Sequence, residues 1–135
     1  MRTSATKFIQ DFIDKVKKIN SDDYYTYKVD KAFVFGSYVN DPEKEKLGDI
    51  DIAFTFSRKN WYDSLSNEAR REISFSRYKG NISFVQKLFW TQTEFFKAIH
   101  VHKNSINLQQ IDSEECMISL TKDKPGYKII FPTCS

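Results

Sequence analysis

Cysteine is scarce: only Cys116 and Cys134 occur, too few for the disulfide framework of a small secreted domain, so both are expected as free thiols in a reducing compartment. No stretch is apolar for long enough to span a bilayer, and the first residues lack the apolar run of a secretory leader, so a cytoplasmic protein is expected. Neither sign of charge dominates. The 21 Lys and Arg against 18 Asp and Glu leave +3, too little for a dedicated nucleic-acid binder but favourable toward an anionic ligand. No repeat, low-complexity segment or second domain is visible, and 135 residues suffice for one domain, spanning 1–135, with a core that needs no staples.

What is present reads as alternating helices and strands. Ala5, Phe8, Ile9, Phe12, Ile13, Val16 and Ile19 recur at helical spacing, with Thr3 and Ser4 as caps and Lys15, Lys17 and Lys18 at the closing end, predicting a first amphipathic helix over 4–19. Asn20 to Asp23 is a polar break, and Tyr24 to Tyr27 is a strand or the approach to one. A largely exposed helix with its arginines outward is expected over Leu65–Tyr78, beginning near Trp61 or Ser64, and a further helix over 83–98, rich in Phe84, Leu88, Phe89, Trp90, Phe95 and Phe96. That aromatic run is read as core before base-stacking surface. One or two short strands around a turn at Lys103–Asn104 are expected over 99–111, and Tyr127–Phe131 closes the chain as a strand after Pro125–Gly126.

Two stretches carry chemistry. Phe33-Val34-Phe35 ends abruptly at Gly36-Ser37, the pattern of a buried strand ending in a tight turn. Without a side chain at Gly36 a phosphate can approach the backbone, and amides opening a short helix after Ser37 would meet it at the favourable end of the helix dipole. After a charged, turn-like loop over Val39–Gly48, Asp49-Ile50-Asp51-Ile52-Ala53-Phe54-Thr55-Phe56 alternates cleanly. A strand sends Asp49, Asp51, Ala53 and Thr55 to one face and the apolar residues to the other. The two carboxylates then lie about 6.6 Å apart at Cα and converge on one or two hard cations of the Mg²⁺ type, an arrangement suited to displacement at phosphorus.

Gly-Ser at the end of an apolar strand, a spacer, then Asp-apolar-Asp-apolar resembles the signature of the DNA polymerase β-type nucleotidyltransferase superfamily, and the length and layout resemble its minimal nucleotidyltransferases. The resemblance is carried by residues 33–56. It implies an α/β (α+β) fold, a small twisted mixed sheet with helices packed on one side. It also implies an NTP substrate, taken here as ATP, with Gly36 and Ser37 at the phosphates, Asp49 and Asp51 on Mg²⁺ or Mn²⁺, and transfer of the NMP to a hydroxyl with release of pyrophosphate. Acceptors or partners implied are a helical (HEPN-like) toxin, a tRNA end or a small molecule; the loop lysines Lys44 and Lys46 could touch the triphosphate.

Members of that family place a third carboxylate on a later strand. The corresponding segment is Ser105-Ile106-Asn107-Leu108, and Asn107 stands where the acid is expected. An amide is no general base and brings no charge to a metal. Three explanations stay open: Asp112 or Glu114 fills the role, His100 or His102 serves as the base, or the protein binds nucleotide without transferring it. His100 and His102, at alternate positions, would share a strand face, but with Cys116 they lack the fourth ligand of a zinc site.

Overall fold

The computed structural model describes residues 2–36, 50–77, 83–102, 105–122 and 126–132. Ser37, Asp49, the loop 39–48, the turn at Lys103–Asn104, Pro125 and Cys134 lie outside them.

The first helix forms where expected but is longer, α1 (Arg2–Ser21), so that Thr3 and Ser4 lie within it rather than capping it and the break begins after Ser21. Phe12, Val16 and Ile19 on its inner face are wholly buried, each contributing roughly 1.5–3 kcal/mol of transfer free energy. Its C-terminal end is closed from a distance. The Lys59 ammonium donates to the carbonyls of Ile19 at 2.7 Å and Asp22 at 2.6 Å, supplying a cation where orphan carbonyls need donors. Burial pushes the Lys59 pKa down, with Asp23 and Asp22 opposing the shift.

Four strands form one sheet in the order β3-β2-β1-β4: β1 (Tyr27–Phe35), β2 (Ile50–Arg58), β3 (Ile106–Gln110) and β4 (Tyr127–Phe131). β1 pairs antiparallel with β2 and with β4, while β2 and β3 run parallel. The sheet is therefore mixed, as the sequence implied. A parallel pair needs a long crossover, and here it holds four helices: α2 (Asn60–Asp63), α3 (Asn67–Arg77), α4 (Phe84–Leu88) and α5 (Trp90–Ile99). A bulge between Val29 and Lys31 bends β1. The Asn20 side chain takes both backbone groups of Val29, and Thr55 Oγ1 accepts from the Lys31 amide, so the interrupted ladder leaves these groups satisfied.

The alternation of β2 sorts the two faces. Ile50, Ile52 and Phe54 join α1 and the α5 residues Phe95 and Ile99 in the main core, with Ala32 and Val34 of β1 and Ile106 of β3. The other face carries a smaller cluster of Phe33, Ala53 and Met117, the last from the short helix α6 (Cys116–Leu120). Most of the helical mass thus backs one face, and α6 covers only part of the other.

Three expectations are corrected. The helix expected over 83–98 breaks at Phe89 into α4 and α5, with Phe89 at φ −105°, ψ 20°. The buried Ser74 hydroxyl of α3 donates to the Lys87 carbonyl at 2.5 Å and accepts the Trp90 amide at 3.0 Å, satisfying backbone groups that the break releases. The aromatic run consequently divides: Phe95 is fully buried, whereas Phe84 is 63% and Phe89 51% exposed. Second, His100 and His102 are not on a strand. His100 follows α5, and His102, at φ 51°, turns the chain toward β3, accepting the Ser105 and Ile106 amides at its carbonyl. Third, the α3 arginines are not uniformly outward. Arg77 lies over the Tyr24 ring at 4.0 Å beside Glu94, and Arg70 donates to the Asp63 and Leu65 carbonyls and to Asn67 Oδ1.

Candidate active site

The site residues gather at one end of the sheet, on the lightly covered face. Asp51 is the second residue of β2, pointing away from the main core because Ile50 and Ile52 point into it. Its neighbours in register are Phe35 of β1 and Asn107 of β3, and Phe35 in turn faces Tyr127 of β4. One row across the sheet thus reads Asn107, Asp51, Phe35, Tyr127.

Gly36 follows β1 at φ +76°, a backbone conformation that a side chain disfavours. A Cβ placed there would sit 2.5 Å from Asp51 Oδ2. Glycine is therefore required twice: to make the turn, and to leave room for the Asp51 carboxylate itself. Gly36 and Asp51 are brought together; their companions Ser37 and Asp49 lie outside the described residues.

Asn107, read from the sequence as standing at the expected third acid, lies directly opposite Asp51, and its Nδ2 donates to Asp51 Oδ1 at 3.1 Å. A neutral donor thus satisfies one oxygen of the carboxylate that a second carboxylate would repel. Among the described residues no group of three or more His, Cys, Asp or Glu is close enough together to hold a metal ion. Asp51 nevertheless offers hard oxygen donors on an accessible face, and Mg²⁺ is usually held by one or two carboxylates plus phosphate and water.

The other groups weighed for proton transfer separate clearly. His102 Nε2 pairs with Asp11 of α1 at 2.8 Å and its ring lies 4.3 Å from that of Phe8, which fixes it in the helical layer. Glu114 is engaged twice, by Lys31 Nζ at 3.3 Å and by the Tyr127 hydroxyl at 2.9 Å. Tyr127 is held above the usual phenol range by that hydrogen bond. Lys31 and Tyr127 were not expected near the site, since only the fold brings them to Glu114. Asp112 is exposed beyond β3. His100 differs: with Thr93, Phe96, Lys97 and Asn107 it lines a cavity of about 500 Å³ between α5 and the β3 edge. Its Nδ1 lies against the Phe96 carbonyl, an acceptor that takes a hydrogen from Nδ1.

The cysteine expectation holds for Cys116, a free thiol; hydrogen bonds from the Ser113 and Asp112 backbone hold its pKa below the usual thiol range. No helix among the described residues is long and apolar enough to cross a membrane.

No curated protein and no solved structure matches the chain. The family profile described as "Nucleotidyltransferase domain" matches residues 13–120, from α1 through β1, β2 and β3 to α6, and so spans the Gly36, Asp51 and Asn107 corner. Members of that family act on a nucleotide substrate, and in general use an NTP with a divalent metal. A mixed four-stranded sheet backed by helices, with an aspartate under a glycine turn and a match over most of its length, places the chain in the nucleotidyltransferase domain family.

Proposed function

We propose that the protein transfers the NMP of a nucleoside triphosphate, AMP from ATP, to a hydroxyl on a protein, RNA or small-molecule acceptor. The observation that carries this reading is the close packing of the Asp51 carboxylate against Gly36, where any Cβ would lie 2.5 Å from Oδ2. Phosphate lies against Gly36 and Ser37, and Asp49 and Asp51 hold Mg²⁺, whose bound charge offsets that of the phosphates. The acceptor oxygen attacks the α-phosphorus, the bond to the bridging oxygen breaks, and pyrophosphate leaves. Asn107 cannot take the hydroxyl proton. Among the groups weighed, His100, which lines a cavity at the β3 edge together with Asn107, is assigned to accept it. The acceptors that the family resemblance suggests, a helical toxin partner or a tRNA end, remain part of this proposal.

A second reading has its own observation. The amide of Asn107 donating to Asp51 stabilises a nucleotide-binding corner without a third acid, as in a regulatory or antitoxin-like protein acting through a partner. The deciding experiment incubates the chain with Mg²⁺ and α-labelled ATP in a lysate of its host, beside Asp51→Asn. Label on a protein or RNA band that disappears with Asp51→Asn supports transfer. Absence of label with all four NTPs, while MgATP raises the melting temperature of the wild type alone, supports the second reading.

A further inference from the structure

At the opposite end of β2 lies a cavity of about 210 Å³ whose lining includes Arg58, Arg70 and Arg71 and no carboxylate. Arg58 is seven residues beyond Asp51 on the same strand, about 23 Å at the usual rise, so the cavity is separate from the Gly36 corner. Its floor holds hydroxyls: Tyr62, 4% exposed, and Thr91, also 4% exposed, are 3.3 Å apart at their oxygens. Its rim is apolar and aromatic, formed by Leu88 and the half-exposed Phe89.

The three cations differ in freedom. Arg70, bound to the 63–67 segment by three hydrogen bonds, contributes a fixed charge. Arg71 is exposed and has no ion pair or hydrogen bond among the described residues. Arg58 is held by the Tyr27 hydroxyl, which also lines the cavity, and pairs with Asp63 at 3.5 Å, with side chains 44% and 65% exposed. An ion pair this exposed is weak and screened, so an incoming phosphate can displace Asp63 from Arg58. Guanidinium groups match phosphate oxygens in pairs, and a half-exposed phenyl ring beside them offers a stacking face for a base.

We propose that this cavity is a second, metal-independent site for the phosphate of a nucleotide, free or at the 5′ end of an RNA strand. The phosphate is held by Arg58 and Arg71 and the base lies on Phe89. The proposal does not depend on transfer at the Gly36 corner, and its test is run without metal.

The test titrates the full chain in EDTA with inorganic phosphate, AMP, and a short single-stranded RNA with and without a 5′-phosphate. The readouts are the NMR signals of the Phe89 amide and of the Arg58 and Arg71 side-chain Nε–H groups. Saturable shifts with AMP or the 5′-phosphorylated strand are expected, weaker with inorganic phosphate and absent with the unphosphorylated strand. Saturation by AMP identifies a free nucleotide; saturation by the strand alone identifies an RNA end. The pair Arg58→Gln and Arg71→Gln should weaken binding at least about tenfold, Phe89→Ala should weaken AMP more than phosphate, and Asp51→Asn should change nothing. Absence of saturable shifts overturns the proposal. So does binding that survives the arginine pair, or binding that vanishes with Asp51→Asn.

Discussion

Replacing Gly36 by Ala tests the site where local strain and chemistry meet. The variant must hold φ +76° with a side chain, at roughly 1–2 kcal/mol. It must also accommodate a methyl group 2.5 Å from Asp51 Oδ2, an overpacking cost of about 1–3 kcal/mol. The sum is about 2–5 kcal/mol. With an unfolding entropy of about 2.1 cal/mol/K per residue, 135 residues give about 0.28 kcal/mol/K, so Tm should fall by roughly 7–18 °C. A double-mutant cycle separates the two terms. In Gly36→Ala/Asp51→Ala the steric part disappears and the backbone part stays, so the double variant should be more stable than the sum of the singles predicts by about 1–3 kcal/mol. Differential scanning calorimetry on all four proteins, without metal, reads this directly. Strict additivity would show that the glycine is required by its turn alone and that its close approach to the Asp51 carboxylate has no energetic content.

Three further outcomes follow from the same geometry. Asn107→Asp sets a second carboxylate about 3 Å from Asp51; the variant should melt lower than the wild type in EDTA and gain more from Mg²⁺, and an equal response of both proteins to Mg²⁺ would place the cation elsewhere. His100→Gln should slow labelled transfer about 10²–10⁴-fold with unchanged melting and partial rescue by added imidazole; full activity would remove His100 from the reaction. Lys59→Met removes the donor to the Ile19 and Asp22 carbonyls and should cost about 1–3 kcal/mol at pH 7. Because burial depresses the Lys59 pKa, the unfolded chain holds that proton more tightly. Wild-type stability relative to Lys59→Met should therefore rise with pH from the folded-state pKa up to the ordinary lysine value, about 10.4; urea melts showing a gap that narrows over this window would contradict the assignment.

What local pattern dictates was readable from the chain. The 3.6-residue spacing of α1 and the two-residue alternation of β2 each have one solution that buries Phe12 and Ile52, whereas Asn107 is singled out by the family resemblance, and its register opposite Asp51 is set by the β2–β3 pairing. What distant contacts dictate was not readable. The break at Phe89 depends on Ser74, fifteen residues earlier. The fate of His102 depends on Asp11 and Phe8. Lys59 stands in a stretch that reads as an ordinary polar loop, and its burial follows from the position of the α1 end that it closes. The arginine cavity joins β1, β2, α2, α3, α4 and α5, and no single stretch of sequence displays it.

The central claim is that the Gly36, Asp51 and Asn107 corner receives the phosphates and their metal. An NMR titration with a non-hydrolysable ATP analogue, run with and without Mg²⁺, tests it most directly. Metal-dependent shifts centred on the Gly36 amide and the Asn107 side-chain amide, and lost in Asp51→Asn, are the predicted result. If Mg²⁺ adds nothing to the shifts at this corner, or the same shifts persist in Asp51→Asn, the corner is not the nucleotide site.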